Sequence, residues 1–436
     1  MSAAFAADCA ACSASWQEAA SALAALPAKP ARTPAEQATA ARLLAEGRDL
    51  RRAFLDAHAA TLYRALTDDL TRFLRVGALI DAAAAAVPGL VPEAADLARE
   101  NAQRQADKDG LEIDQGMLLA HVLADPACGR HLCHAMLLPR PESPALLAQL
   151  QRDGQVDLPT ARIRRLGNAT LVLTRNPRFL NAEDEATLDD FEIAVDLATL
   201  DPATGAAVLR GDTVTHPRHA GRHVFSAGIN LTHLYHGRIS FLWYLRRDLG
   251  AVNKMFRGLA SPAAPPDEWR ATTVEKPWIA AVDAFAIGGG CQVLLASDYV
   301  LAARDAFMTL PARKEGIIPG AANLRLPRFT GDRIARQLIT YGRRLDCDSP
   351  EGRLICDEIA DPADMDAAIL RVIDGLTNSG AVGLAGNRRA LRVGAEPLDT
   401  FRAYMAVYAQ EQALCHFSPQ LIANLERHWR AQERTA

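Results

Sequence analysis

Three consecutive glycines, Gly288-Gly289-Gly290, separate an apolar run, Pro277 to Ala286, from the stretch that opens Cys291-Gln292-Val293. Glycines between a strand and a helix leave peptide N–H groups bare at the helix N-terminus, where the dipole favours negative charge. The chemistry such a turn offers is the holding of an anion, either a phosphate or an oxyanion that develops during a reaction. Upstream, Phe225-Ser226-Ala227-Gly228-Ile229-Asn230 forms a second candidate turn. Two backbone donors contributed by two turns make an oxyanion hole. Polar side chains that could work beside it are Glu183, just after Asn181-Ala182, Arg247, and Gln292 directly after the glycines. Glu183 could instead complement a helix dipole, and Arg247, flanked by Arg246 and Asp248, could form a surface ion pair.

These segments need a scaffold, and the chain is long enough to supply one. It has 436 residues, 49% of them hydrophobic, which predicts two or three structural units with a sizeable core. From Ser13 to about Leu150 apolar residues recur at helical steps, as in Leu55, Ala59, Leu62 and Leu66, and prolines at Pro27, Pro30, Pro88, Pro92, Pro139 and Pro144 divide the stretch into several helices. After Leu158 the pattern changes: Leu171-Val172-Leu173-Thr174 begins a strand-rich segment, and strands alternate with helices to about Gly342, as an α/β fold requires. Ser261 to Asp267 reads as a loop. Pro362 to Thr377 and Pro397 to Trp429 read as helices, the second with Leu398, Phe401, Tyr404, Met405 and Tyr408 on one face. The expected division is an α-helical N-terminal domain over residues 1–157, an α/β core over 158–345 and a C-terminal helical region over 346–436.

A net charge of −4 with interspersed signs gives no basic field for nucleic acid. No apolar stretch reaches the roughly 20 residues that span a bilayer. The N-terminus lacks the basic and apolar blocks of a secretory signal, so the expected location is the cytoplasm. Eight cysteines are too sparse for a disulfide framework. Cys9 and Cys12, and Cys128 and Cys133 with His131 and His134, lie in separate helical segments and do not assemble a four-ligand zinc pattern. His216, His219, His223, His233 and His236 invite a different metal reading, a mononuclear iron site of two histidines and a carboxylate. However, nothing in the spacing fixes two of them beside an acid, and the expectation is that no metal is bound.

The order of Asn176 to Ala182, Phe225-Ser226-Ala227-Gly228, Glu275 to Val282 with the triple glycine, and Leu310-Pro311 through Gly316-Ile317-Ile318-Pro319-Gly320 resembles the crotonase (enoyl-CoA hydratase/isomerase) superfamily over roughly Ile163 to Arg344. The resemblance implies a ββα spiral core, an acyl-CoA substrate, a homotrimer or a hexamer built as a dimer of trimers, and Ile229 N–H with Gly289 N–H as the oxyanion donors. The two glutamates that crotonase-type hydratases place over the substrate match Gln292 and Ala312 here. Neither residue exchanges protons near neutral pH, which argues against paired-glutamate hydration. The hole itself survives, and it grips a thioester oxygen more strongly as that oxygen becomes an enolate.

Over nearly the whole chain, including the helical N-terminal part, the resemblance is to a dioxygenase branch of the superfamily that needs neither metal nor organic cofactor. It implies O2 and 3,5-dihydroxyphenylacetyl-CoA as substrates and 3,5-dihydroxyphenylglyoxylate and CoA as products, in the supply of dihydroxyphenylglycine for glycopeptide antibiotics. Glu183, Arg247 and Gln292 would then orient the ring hydroxyls, and Gly288, Gly290 and Ile317 would line the substrate site. Phe225, Leu231 and the Ile317-Ile318-Pro319 run could give a dry pocket for O2, or could be plain core. A thioester hydrolase or isomerase, or a non-catalytic CoA-binding protein, could use the same hole.

Overall fold

The computed structural model describes residues 3–266 and 272–435. Residues 1, 2 and 436, at the ends of the expected terminal segments, and Asp267, at the end of the expected loop, lie outside the described residues. By packing, the chain forms two compact units. One takes Met1–Met136, Thr232–Leu245 and Asp399–Ala436; the other takes Leu137–Leu231 and Arg246–Leu398. Each unit joins stretches that are far apart along the chain.

The first unit is helical. Its long helix, Pro34–Leu66, starts at a capping box in which Thr33 and Glu36 satisfy each other's backbone N–H groups. The helix buries Leu55, Ala59 and Leu62, three of the four residues whose spacing predicted that face. In the same unit the expected helix from Pro397 to Trp429 is two helices, Leu398–His416 and Pro419–Trp429. Ser418 caps the second by accepting from Leu421 N–H, and Pro419 at its first turn cannot continue the helix before it.

The second unit carries the sheets. Strands β1 (Gln155–Asp157), β2 (Ala161–Leu166), β3 (Ala169–Thr174), β4 (Ala206–Gly211), β5 (Trp278–Val282), β7 (Tyr299–Ala303) and β10 (Glu358–Ala360) form one sheet in the order β1-β2-β3-β4-β5-β7-β10. It is antiparallel from β1 to β3 and parallel from β3 to β10. Every residue of β4 and β5 is buried, as expected of parallel strands covered on both faces. Strands β6 (Phe285–Ile287), β8 (Phe307–Thr309) and β9 (Arg344–Asp346) form a second sheet.

The apolar run from Pro277 to Ala286 is therefore not one strand. It leaves the large sheet after Val282 and enters the small one at Phe285. Asp283 stands at the break, its carboxylate held by Arg210 Nε and Nη2 at 2.8 and 2.5 Å. A carboxylate does not fit inside a fully apolar strand, and here it leaves the strand to meet a guanidinium.

A helix that the sequence reading does not predict, Ala381–Ala395, is fixed by buried charge rather than by an apolar stripe. Arg388, Arg389 and Arg392 converge on Glu275, and Glu396, at the helix end, is held by Arg257, Arg325 and Arg328. Burial pushes the Glu396 carboxyl up, but the three guanidiniums overcome this and hold it at about 2.

Candidate active site

The site is built where the two glycine turns meet. A short backbone ladder joins them: Ser226 N–H donates to Phe285 C=O at 3.3 Å and Ile287 N–H to Ser226 C=O at 3.0 Å. On the other side Glu183 N–H donates to Gly228 C=O and Asn230 N–H to Glu183 C=O, each at 2.7 Å. Ser226 Oγ accepts from Gly228 N–H at 3.0 Å and closes the first turn. The turns come so close that a side chain on Gly228 would put its first carbon 2.7 Å from Ile287 O and 3.3 Å from Gly289 N. Between them, Ile229 N–H and Gly289 N–H have no acceptor among the described residues. Two adjacent buried donors without partners are costly unless something accepts from them.

The triple glycine is explained position by position. Gly288 has φ +51° and ψ −111°, a conformation that side-chain-bearing residues avoid, and its N–H donates to Thr309 C=O at the end of β8. A Cβ on Gly289 would run into Glu183 Oε1, and one on Gly290 would sit 2.8 Å from Ser226 Cβ. The helix that follows, Gly289–Leu294, is shorter than the glycine pattern suggests, and Gln292 lies half-buried on it.

Glu183, Arg247 and Gln292, distant in sequence, form one network. Arg247 is only 2% exposed, so it is not a surface ion pair. Its Nε and Nη2 donate to Glu183 at 2.5 and 2.9 Å, Nη1 to Asp248 Oδ1 at 2.9 Å and Gln292 Oε1 at 2.8 Å, and Nη2 also to Gly289 C=O at 2.9 Å. A guanidinium has five N–H groups, and these bonds occupy them all. Arg247 thus ties the glycine turn, Glu183 and Gln292 into a fixed geometry. Because Gln292 Oε1 accepts from Arg247, its amide NH2 is turned away from Arg247 and can donate elsewhere.

The sequence reading missed Asp248, Gly320 and Glu315. Asp248 is buried under Arg247; burial pushes its carboxyl up and the guanidinium pulls it down. Gly320, at φ +45°, brings the Ile317-Ile318-Pro319 turn against this network: a Cβ there would lie 2.6 Å from both Gln292 Oε1 and Asp248 Oδ2. Ile317 and Ile318 are half-buried between Glu315 and Gly320, whereas Phe225 is buried. Glu315 is 8% exposed, and its Oε1 lies 4.0 Å from where a Cβ on Gly288 would stand. Its carboxyl has no hydrogen bond or ion pair among the described residues. The signal for Glu315 is faint in the sequence: it follows Ala312 by three residues, one turn along a helix of only Ala312–Glu315.

The histidines take other parts. His223 Nδ1 is within hydrogen-bond distance of Gly211 C=O at 2.8 Å, and the His219 ring meets Phe285 edge-on with centroids 5.4 Å apart. His236 Nε2 faces Arg434 C=O at 3.0 Å. Among the described residues no group of three or more His, Cys, Asp or Glu is placed to hold a metal ion. All eight cysteines are free thiols, and Cys128 and Cys133 are buried.

Residues 167–400 match the enoyl-CoA hydratase/isomerase family. The chain is 48% identical over 396 residues to a (3,5-dihydroxyphenyl)acetyl-CoA 1,2-dioxygenase of Amycolatopsis orientalis, covering 90% of this chain and 89% of that one. It is 27% identical over 253 residues to a crotonyl-CoA hydratase of Syntrophomonas wolfei, covering 57% of this chain and 85% of that one. Its fold is similar to that of an enoyl-CoA hydratase/isomerase from Xanthobacter autotrophicus, with a TM-score of 0.51 at 22% identity, over 64% of this chain and all of that one. Two glycine turns stitched into one pair of free backbone donors, on a mixed sheet that continues into a small second one, agree with that match: the chain belongs to the enoyl-CoA hydratase/isomerase family.

Proposed function

We propose that this protein is a dioxygenase that converts 3,5-dihydroxyphenylacetyl-CoA and O2 to 3,5-dihydroxyphenylglyoxylate and CoA. The observation that carries the reading is the pair of unpaired donors, Ile229 N–H and Gly289 N–H, in a site where Gln292 and Ala312 stand in place of the glutamates of a hydratase. The extent of its similarity to the Amycolatopsis enzyme supports the choice of reaction.

The thioester oxygen sits between the two N–H groups, and loss of an α-proton places negative charge on it. The hole binds that charge more tightly than the neutral carbonyl, which lowers the barrier to the enolate. The aryl ring spreads the charge, and the electron-rich enolate passes one electron to O2. Recombination gives a peroxide at the α-carbon. The peroxide attacks the thioester carbonyl, expels CoA, and its O–O bond breaks as the second α-proton leaves. Thioester plus O2 balances glyoxylate plus thiol with no water consumed. Glu183 accepts from one ring hydroxyl, the Gln292 amide donates to the other, and Arg247 holds both side chains in place. Ile317 and Gly290 complete the walls of the substrate site.

Because the substrate's enolate is the electron donor, the reading requires no metal or organic cofactor. Oxygen uptake measured with the dihydroxyphenylacetyl thioester should therefore match CoA release one for one and persist in excess EDTA. Activity lost in EDTA and regained with iron would return the histidines to consideration, and thiol release under nitrogen would mark a hydrolase instead. The setting we infer is a homotrimer or dimer of trimers in the cytoplasm, supplying the glyoxylate from which dihydroxyphenylglycine is made for glycopeptide antibiotics. Light scattering on the purified protein tests the assembly.

Gln292 gives a side-chain test of ring recognition. One hydrogen bond to a neutral hydroxyl contributes about 1 kcal/mol net, or roughly five- to tenfold in rate. Gln292→Ala should lower kcat/KM by that factor on the dihydroxyphenyl substrate and less on the phenylacetyl thioester, which has no hydroxyl to lose. Equal losses on both substrates would reduce Gln292 to a packing residue.

A further inference from the structure

We propose that Glu315 is the catalytic base that removes the α-proton of the thioester, from a buried position beside Gly288 at the wall of the oxyanion hole. The inference deepens the proposed dioxygenase reading and rests on it.

Enolate formation needs a proton acceptor, and the carboxylates that hydratases of this family would use are absent at Gln292 and Ala312. The other acids of the site are committed: Glu183 takes two hydrogen bonds from Arg247, and Asp248 is buried against the same guanidinium. Glu315 is different in three respects. It is more than nine-tenths buried, its carboxyl has no partner among the described residues, and its Oε1 faces the open side of Gly288 at 4.0 Å from a would-be Cβ. The same would-be Cβ would lie 3.8 Å from Gly228 Cα. The space bare of side chain over Gly288 is thus bounded by the first oxyanion turn and by a carboxyl.

The local chain explains the placement. Gly288 N–H donates to Thr309 C=O at 2.9 Å, which pins the glycine turn to the end of β8. Leu310 and Pro311 then lead into the helix Ala312–Glu315, where Glu315 N–H donates to Pro311 C=O at 3.1 Å and Gly316, at φ +85°, ends the turn. Positions three apart share a helix face, so Glu315 extends from the face that Ala312 leaves empty. A carboxyl absent at Ala312 is supplied one turn later. Burial alone pushes Glu315 up to about 7, the range in which a general base works best near neutral pH.

In the step, the α C–H bond breaks and its proton bonds to Glu315 Oε1. The bonding pair becomes the enolate C=C, and the carbonyl π pair moves onto the oxygen held by Ile229 and Gly289 N–H. One negative charge leaves the carboxylate and appears on the enolate oxygen. Glu315 is then neutral and does not repel the enolate in a dry site. The departing CoA thiolate can later take this proton, which restores the carboxylate.

The test is deuterium exchange at the α-carbon of 3,5-dihydroxyphenylacetyl-CoA in D2O under nitrogen, where O2 cannot consume the enolate. The unmodified enzyme should exchange; Glu315→Gln should exchange roughly 100-fold more slowly, at the low end for a lost general base, with substrate affinity and thermal unfolding retained. Glu315→Asp should recover part of the rate, and formate or acetate should restore exchange to Glu315→Ala, a rescue that a merely structural role would not allow. Exchange by Glu315→Gln at the unmodified rate overturns the assignment while leaving the dioxygenase reading intact. If Glu315→Gln does not fold, absence of carboxylate rescue in Glu315→Ala together with full exchange by that variant overturns it. Oxygen uptake by an unmodified enzyme that exchanges no α-deuterium removes the enolate step itself and this inference with it.

Discussion

Replacing Gly289 by glycolate, so that an ester oxygen stands where the peptide N–H was, is expected to lower kcat for oxygen-dependent turnover by about 100- to 1000-fold, the usual cost of one oxyanion-hole donor. Proline is the obvious genetic way to delete an N–H, and at the first position of the helix Gly289–Leu294 its backbone would be tolerated. The structure shows why that variant alone would mislead. Any Cβ at position 289 runs into Glu183 Oε1 and lies 3.1 Å from Arg247 Nη2, so proline would disrupt the network as well as remove the donor. The ester, made by semisynthesis, removes the donor and adds no atom. The change should appear in kcat, with KM altered less, because the donor acts mainly on the charge that develops in the transition state. Undiminished turnover by a folded ester variant would remove Gly289 from the oxyanion hole.

Arg247→Ala is expected to destabilise the fold by about 3–5 kcal/mol, the cost of leaving buried charge uncompensated. The guanidinium is 2% exposed and Asp248 3%, and Glu183, Gln292 and Gly289 C=O each lose a donor. Urea unfolding monitored by tryptophan fluorescence measures the loss. Arg247→Lys separates charge from geometry. An ammonium keeps the charge beside Asp248 and Glu183, so part of the stability should return, but it is a point donor and cannot reproduce a planar fork that holds five bonds. Turnover per folded molecule should therefore stay well below that of the unmodified enzyme. Full recovery of turnover by Arg247→Lys would show that the network supplies charge and not alignment.

Several features were legible in the sequence because they are local. The glycine triplet and the Phe-Ser-Ala-Gly turn announce backbone conformations that depend on a few neighbouring residues, and the missing acids at Gln292 and Ala312 are read through the family resemblance. The helical period of Leu55 to Leu62 reflects which face is buried, and the unbroken apolar run Leu171 to Leu173 is a strand buried on both faces. The sequence also put Glu183, Arg247 and Gln292 forward as polar candidates, though it could not say that one guanidinium holds the other two.

What only the tertiary structure decided depends on distance through space. Asp283 ends β5 because Arg210, far upstream on β4, is there to meet it, so an apolar run that reads as one strand becomes two strands in two sheets. The helix Ala381–Ala395 has little apolar periodicity and is anchored by arginines whose partner, Glu275, lies more than a hundred residues earlier. Glu315 gives only the faint signal of its three-residue spacing from Ala312, since what sets it apart in space is the lack of a partner among the described residues. Its place beside Gly288 goes with the hydrogen bond that joins the triple-glycine turn to the end of β8, a few residues before Glu315. Sequence determined which backbone donors this protein has and, through the family resemblance, which carboxylates it lacks; only the tertiary structure decided that the two turns pack on each other and that one guanidinium holds Glu183 and Gln292.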